Sequence, residues 1–155
     1  MREILFRGKR IDINEWVEGY YAVSPTDNKS YIYAKDYHEM DIAEDGLHVA
    51  YRLMQVFPTT VGQYTGLTDK NGKKIFEGDI VRTHYANAPK AVFVETVIFD
   101  GGKFCATSTN EGCKTTAALW DGVPRLAIDK SVYMDEVEVI GNIHDDPDLL
   151  GGDDK

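Results

Sequence analysis

Two carboxylates stand close together near the middle of the chain, at Glu77 and Asp79. Residues two apart on a strand project to the same face, so this pair could bind a cation or carry out acid and base chemistry. Carboxylates at functional sites normally have further partners that perturb them, and the sequence marks none here. The ordinary alternative, which we favour, is a polar turn around Gly78.

Other residue types that could do chemistry lack the spacing for it. Cys105 and Cys113 have no neighbouring Cys or His that would complete a tetrahedral zinc site. His144 precedes Asp145 and Asp146, which could orient its ring, although a lone His in such a charged segment is more often solvated. The serines stand in no nucleophile-elbow context, and no glycine-rich loop has nucleotide-binding spacing. We therefore expect no catalytic residue, no metal, no cofactor and no enzyme activity.

A cluster of cations at the start of the chain is the strongest charge feature, and it comprises Arg2, Arg7, Lys9 and Arg10. If these residues lay beside the lysines at positions 70, 73 and 74, they would form a basic face that could touch phosphates. Against this stands a net charge of −9, which opposes binding to a polyanion. The ordinary alternative is a set of solvated charges that protect sheet edges.

Turn signals dominate the middle of the chain. The run Asp69-Lys70-Asn71-Gly72 combines residues that tolerate positive φ, which predicts a tight hairpin. Gly78 precedes the β-branched run Ile80-Val81, which predicts a second turn that launches a strand. We expect Gly72 and Gly78 to adopt positive φ or unusually tight turns.

The elements that must position these residues are short strands. Alternation and β-branched content predict strands over residues 3–6, 16–23, 31–37, 47–57, 80–82, 91–99, 104–107 and 137–143. Residues 39–46 are a polar cluster that interrupts the pattern, and a weak capping signal predicts one helical turn over 61–64. The segment 108–118 reads as a loop or short helix. The fold class is thus mainly β, or β-rich α+β.

Several of these stretches together carry a family resemblance. They are VGQYTGLTDKNGKKIFEGDIV at 61–81, MREILFRG at 1–8, EWVEGYY at 15–21 and EVIGNIH at 138–144. In these motifs the chain resembles the YopX-like family of phage and prophage proteins, across nearly its whole length. The resemblance implies a mostly β protein from a phage or integrated phage genome, with an SH3-like barrel in its later part and no established catalytic residues. The chain departs from the family pattern mainly at 86–120.

Length and composition fit this organisation. The chain has 155 residues, of which 43% are hydrophobic, enough for one ordinary domain or two small ones. We expect an N-terminal β subdomain at 1–58, an SH3-like barrel at 59–145 and a short turn with a frayed acidic tail at 146–155. The N-terminal stretch lacks a signal-peptide core and no apolar run could cross a bilayer, which predicts a protein of the bacterial cytoplasm that does not enter the membrane.

The expected role is binding. Aromatic residues of the N-terminal part, among them Trp16 and Tyr20, are too few to enclose a core, so the barrel or a second copy must cover them. The candidate interaction surface comprises Arg2, Arg7, Lys9, Arg10, Trp16, Tyr20 and Tyr21. We expect a non-enzymatic accessory protein that binds a phage or host protein or assembles as a homo-oligomer. Nucleic-acid binding through the N-terminal cations is the alternative, and an enzyme is third.

Overall fold

The computed structural model describes residues 3–43, 46–85, 88–100, 102–107 and 137–150. The chain divides into two compact units, Met1–Gln63 and Tyr64–Lys155. The division falls inside a strand, after residue 63.

The first unit is an antiparallel sheet with the strand order β4-β3-β2-β1-β5. Its strands are β1 (Phe6–Lys9), β2 (Trp16–Val23), β3 (Ser30–Ala43), β4 (Gly46–Gln55) and the start of β5 (Gly62–Thr68). The strand predicted over 16–23 is confirmed. A 3-10 turn at Pro58–Thr60 precedes β5, so the helical turn predicted over 61–64 is wrong: the backbone there belongs to a strand that pairs with β1.

Strand β3 extends much further than predicted. It pairs with β2 from Ser30 to Ala34, and with β4 from Tyr31 to Ala43, with a register shift after Tyr33. The polar residues 39–43 therefore lie within the strand, because pairing with β4 overrides their weak strand preference. Beyond Ala34 the hairpin of β3 and β4 is a two-stranded ribbon.

The second unit contains one short ladder and one four-stranded sheet. The end of β5 pairs with β6 (Lys74–Phe76). The sheet has the order β10-β7-β8-β9, and its strands are β7 (Asp79–Tyr85), β8 (Ala88–Asp100), β9 (Lys103–Thr107) and β10 (Glu138–Asn142). A 3-10 turn follows at Pro147–Leu150. The predicted segment 108–118 lies outside the described residues.

One apolar cluster fills this unit. Its buried members come from β6, β7, β8 and β10 and the residue before β10, and they are Ile75, Val81, Val97, Val137 and Val139. Leu67 of β5 packs against them, so the ladder and the sheet share a core. Among the described residues, however, no strand pairing closes the ladder and the sheet into a ring, and the predicted SH3-like barrel is not confirmed. What is shown is a mainly β protein.

The two turn glycines hold the backbone that the sequence analysis assigned to them. Gly72 has φ of 79° and Gly78 has φ of 82°, both in the left-handed region. The Gly78 N–H donates to the Val97 carbonyl oxygen at 2.8 Å, and the Gly78 carbonyl accepts from Ile143 N–H at 2.9 Å. Gly78 thus joins its turn to two neighbouring elements of the same unit.

Replacing either glycine with valine should destabilise the protein. A β-branched residue resists positive φ, so we expect Gly72→Val and Gly78→Val each to lower the free energy of unfolding by about 1–2 kcal/mol. Gly72→Asn is the matched control, because Asn tolerates this conformation. Urea denaturation measures all three. A valine variant as stable as the Asn variant would contradict the proposed strain.

No helix in the described part of the chain has the length and apolar character needed to span a membrane.

Candidate binding face

Strand register gathers aromatic and apolar residues on one side of the first unit's sheet. Tyr20 of β2 lies opposite Tyr33 of β3, which lies opposite Leu53 of β4. In the next row Ala22 lies opposite Tyr31. Because strand residues two apart share a side, these five residues form one surface, which we call the open face.

The two sides of this sheet differ sharply in exposure. Ile32 and Met54, which are neighbours of the open-face residues on the other side, are 0% and 6% exposed. Tyr20 is 48% exposed and Leu53 is 59% exposed. The Tyr20 and Tyr33 rings meet with their centroids 6.4 Å apart at a tilt of 44°, a favourable aromatic geometry. The open face therefore presents a contiguous apolar surface that the described residues leave largely uncovered.

A groove of about 450 Å³ continues the open face toward the β2–β3 turn. It is lined by Ala22, Val23, Ser24, Pro25, Tyr31 and Leu53. Leu53 also lines a second depression of about 330 Å³ against the loop after β1. Leu53 is therefore the residue common to both concave parts of this surface.

The turn that walls the groove is held by its own polar contacts. The Ser24 N–H donates to the Lys29 carbonyl oxygen at 2.9 Å, and Asn28 takes a φ of 57°. The Lys29 ammonium contacts the Asp27 carboxylate at 2.9 Å. Hydrogen bonding from the Ser24 side chain, together with Lys29, lowers the pKa of Asp27 to about 2. The rim of the groove is therefore a defined turn that carries both charges at neutral pH.

The described N-terminal cations, Arg7, Lys9 and Arg10, are engaged within the first unit. Arg7 and Lys9 both lie over the Trp16 ring, with the Arg7 Cζ 4.7 Å and the Lys9 Nζ 5.9 Å from the ring centroid. Arg7 is buried, with 9% of its surface exposed. Arg10 forms a bidentate pair with Asp12, at 3.0 Å from Nε and 2.6 Å from Nη2. The side chains that the sequence analysis considered as phosphate contacts are therefore engaged in cation–π contacts and an ion pair within the unit.

The residues predicted as an interaction surface fall into three groups. Arg7, Lys9, Trp16 and Tyr20 lie on the side of the sheet that carries the open face. Tyr21 lies on the other side, where its ring packs 5.4 Å from Phe6 and its hydroxyl is 3.0 Å from the Ser30 hydroxyl. Arg10 stands in the loop after β1, and Arg2 lies outside the described residues. The predicted surface is therefore not one patch.

In the second unit, the DKNG hairpin is tied to β10. The Lys70 ammonium contacts the Glu138 carboxylate at 2.7 Å, and Arg82 approaches the same carboxylate at 3.5 Å. The hydrogen bond from Lys70 is the main reason why the pKa of Glu138 is lowered. The Lys70 N–H also donates to the Val137 carbonyl oxygen at 2.9 Å. Lys70 therefore has a structural partner within its own unit.

Asp69 is the centre of that attachment. Its Oδ1 accepts hydrogen bonds from the N–H groups of Asn71 at 2.8 Å and Lys73 at 2.9 Å. Its Oδ2 accepts from Val139 N–H at 3.1 Å. Burial by itself raises the pKa of Asp69, but the hydrogen bonds from Val139, Lys73 and Asn71 outweigh burial and leave the pKa lowered. One carboxylate therefore closes the hairpin and holds β10.

Two other residues that the sequence analysis considered for chemistry, Asp79 and His144, take part in local hydrogen bonds with the backbone or a neighbouring side chain. Asp79 is 1% exposed, and its Oδ2 accepts from Phe76 N–H at 2.8 Å, which makes it a turn residue rather than an accessible acid or base. The exposed His144 donates its backbone N–H to Asn142 Oδ1 at 3.0 Å. Among the described residues, no three His, Cys, Asp or Glu side chains group as a metal site would require.

Cys105 differs from the sequence-based expectation. It is 1% exposed and disulfide-bonded, whereas thiols are usually kept reduced in the bacterial cytoplasm, where the sequence analysis placed the protein. Cys113 lies outside the described residues.

The sequence analysis did not single out Leu53, Tyr33, Val23 or Pro25 as interaction residues. The signal for Tyr33 was present in the alternation of tyrosines at 31 and 33, within the strand predicted over 31–37. Leu53 gave no local signal, since the side of β4 that faces solvent depends on its pairing with β3.

Comparison with known proteins supplies the family. The family model described as YopX protein matches residues 5–151. A search of curated proteins found no match. Among solved structures, the chain is similar to the crystal structure of protein EF1440 from Enterococcus faecalis, with 23% sequence identity, a TM-score of 0.55, and coverage of 97% of this chain and 99% of that chain. That likeness concerns the fold, and the match to the family model shows that this chain belongs to the YopX family.

Proposed function

We propose that this YopX-family chain is a non-enzymatic accessory protein of phage or prophage origin, acting in the cytoplasm of its bacterial host. Its role is to bind another protein through the open face, as a protein-binding or assembly module. The observation that carries this proposal is the exposure of Tyr20 and Leu53 beside a groove lined mostly by apolar residues.

The composition of the open face suits a protein partner. Tyrosine is enriched in protein interfaces because it adds a large contact area with little loss of side-chain freedom. A contiguous apolar surface on a soluble protein marks a site of interaction. The rim residues Asp27 and Lys29 are charged and exposed, which matches an apolar interface core bordered by polar residues. These features support docking of an apolar side chain of the partner against Leu53.

The electrostatics favour a protein over a nucleic acid. Aromatic sheet faces can stack bases, but they do so beside cations that track the phosphate backbone. Here Arg7 and Lys9 lie over Trp16, Arg10 pairs with Asp12, and the chain carries a net charge of −9. Nucleic-acid binding is therefore the less favoured alternative, and an enzyme activity is the least favoured.

We also propose that the second unit is the SH3-like barrel that the family resemblance implies. Support comes from the shared core, in which Leu67 and Ile75 of the β5–β6 ladder pack with Val81, Val97 and Val139 of the four-stranded sheet. A small barrel places the side chains of all its strands in one interior in this way.

Capture from a lysogenic host tests the binding proposal. We expect tagged wild-type protein to retain a protein partner, and Leu53→Glu to lose it, because a carboxylate would have to be buried against apolar atoms. Val92→Glu is the matched control, since Val92 is 53% exposed and lies in the second unit. Retention by Leu53→Glu would contradict the proposal. Recovery of nucleic acid in place of protein would favour the alternative.

A further inference from the structure

The edge of the first unit's sheet at β4 lacks a partner strand among the described residues. Strand β4 pairs with β3 on one side, and it ends the strand order. Contacts from the loop after β1 reach its last residues: Ile11 N–H donates to the Gln55 carbonyl at 3.1 Å, and Arg10 bridges to Val56. On the side of β4 away from β3, the described residues place no further strand against the stretch from Gly46 to Met54.

Natural sheet edges are usually protected against pairing with another chain, and β4 lacks several of the usual protections. Lysine, proline, inward charges and very short length are the common devices. The strand GLHVAYRLMQ is ten residues long and contains no proline, no lysine and no acidic residue. The strand therefore carries no acidic residue that would repel the same strand of a second copy.

The outer half of this hairpin has no third strand among the described residues. Beyond Ala34, β3 has no pairing with β2, so residues 38–43 and 46–51 form a ladder of two strands. Such a ribbon is at best marginally stable in water, whereas three strands with an apolar face are stable. Every copy of the chain contains this two-stranded ribbon, so a partner strand that is always available would stabilise it best. A second copy of the chain is such a partner.

The sequence of β4 is itself nearly symmetric about Ala50. It reads Leu47-His48-Val49-Ala50-Tyr51-Arg52-Leu53, in which apolar residues alternate with basic ones at equal distances on both sides of the alanine. Antiparallel pairing of two copies about Ala50 places Val49 opposite Tyr51, and Leu47 opposite Leu53. Aromatic pairs with β-branched residues favour such a register.

We propose that two copies of this chain associate by antiparallel pairing of their β4 strands, with a two-fold axis at Ala50. This inference rests on the proposed function, which is protein binding, and it names a second copy of the chain as one partner. The interface is isologous, as a two-fold axis requires. The paired edges join two open faces into one continuous sheet surface, which remains available to a further protein.

A charge swap at Ala50 provides the test. Ala50→Lys and Ala50→Glu each place two like charges against one another at the axis, and we expect the dimer dissociation constant to rise at least about tenfold in each. An equimolar mixture of the two variants should regain the dimer mass, because the charges are then opposite. Light scattering over a tenfold dilution series at micromolar concentration and moderate salt measures each mass. Val92→Lys, at a position of the second unit that is 53% exposed, is the control and should remain a dimer.

Cysteine cross-linking tests the register independently. Ala50→Cys should form a disulfide-linked dimer with itself, and Val49→Cys should cross-link to Tyr51→Cys faster than either variant does to itself, since opposite residues lie about 4.5–5.5 Å apart between Cα atoms.

A wild-type monomer at every dilution overturns the inference, as do Ala50→Lys and Ala50→Glu variants that remain dimers or a mixture that stays monomeric. A wild-type monomer together with loss of a captured partner in Leu53→Glu would overturn this inference and leave the proposed function standing.

Discussion

Replacing Gly19 with alanine is expected to lower the free energy of unfolding by at least about 3 kcal/mol, because the added methyl group has no space. Gly19 lies in the central strand β2, opposite Phe6 on one side and Ala34 on the other. A Cβ built on it would stand 1.9 Å from the Tyr33 carbonyl oxygen and 2.7 Å from the Tyr33 carbonyl carbon. Both atoms are backbone, so relief requires β2 and β3 to separate. Thermal and urea denaturation measure the loss.

Gly8→Ala is the matched control for this prediction. Gly8 lies in the neighbouring strand β1, and a Cβ there would stand 3.0–3.2 Å from atoms of the Val56 side chain. A side chain can shift by a few tenths of an ångström where a paired backbone cannot. We therefore expect the control to be clearly less destabilising. Equal losses in the two variants would show that β2 and β3 do not approach as closely as described.

Replacing Asp69 with alanine is expected to lower the free energy of unfolding by about 3 kcal/mol. The substitution removes the acceptor of three backbone hydrogen bonds, and the Val139 N–H is in a buried part of the unit. Asp69→Asn keeps one carbonyl oxygen and should lose less. Asp12→Ala, which breaks an exposed ion pair, should change the stability far less. An Asp69→Ala variant as stable as Asp12→Ala would contradict this account.

The contribution of Asp69 should depend on pH. Because the folded state lowers the pKa of Asp69, its carboxylate stabilises the fold fully above the unfolded-state pKa, and this stabilisation is lost as pH falls through the folded-state pKa. The wild type should therefore exceed Asp69→Asn in stability at neutral pH, and the difference should shrink below about pH 4. Urea denaturation at several pH values measures it. A difference that stays constant down to pH 2 would show that the carboxylate charge is not what holds β10.

Elements defined by local chemistry could be predicted. The run 16–23 alternates and contains a Trp and two Tyr, and it forms β2 with the predicted bounds. The predicted strands 91–99 and 104–107 correspond to β8 and β9, joined by a glycine turn in which Gly102 has φ of 82°. In each case the residues that specify the structure are neighbours in sequence, so that propensity and alternation suffice.

Elements defined by a distant partner were less predictable. Strand β1 was expected at 3–6 and lies at 6–9, where its register is set by pairing with both β2 and β5. A glycine within a strand signals either a bulge or a close backbone approach, and the sequence around Gly19 does not distinguish the two. The position of Tyr33 shows that it is a close approach.

For the candidate site, the sequence by itself determined which residue types were available and their alternation along each strand, including Tyr20, Tyr21, Tyr31 and Tyr33. It also predicted the positive φ positions at Gly72 and Gly78. Only the tertiary structure decided that Tyr20 is exposed while Tyr21 packs on Phe6, that Leu53 completes the open face, and that Asp69 reaches Val139. The physical reason is that the side of a strand that becomes buried depends on pairing between segments far apart in sequence, and a residue's own neighbours carry no information about that register.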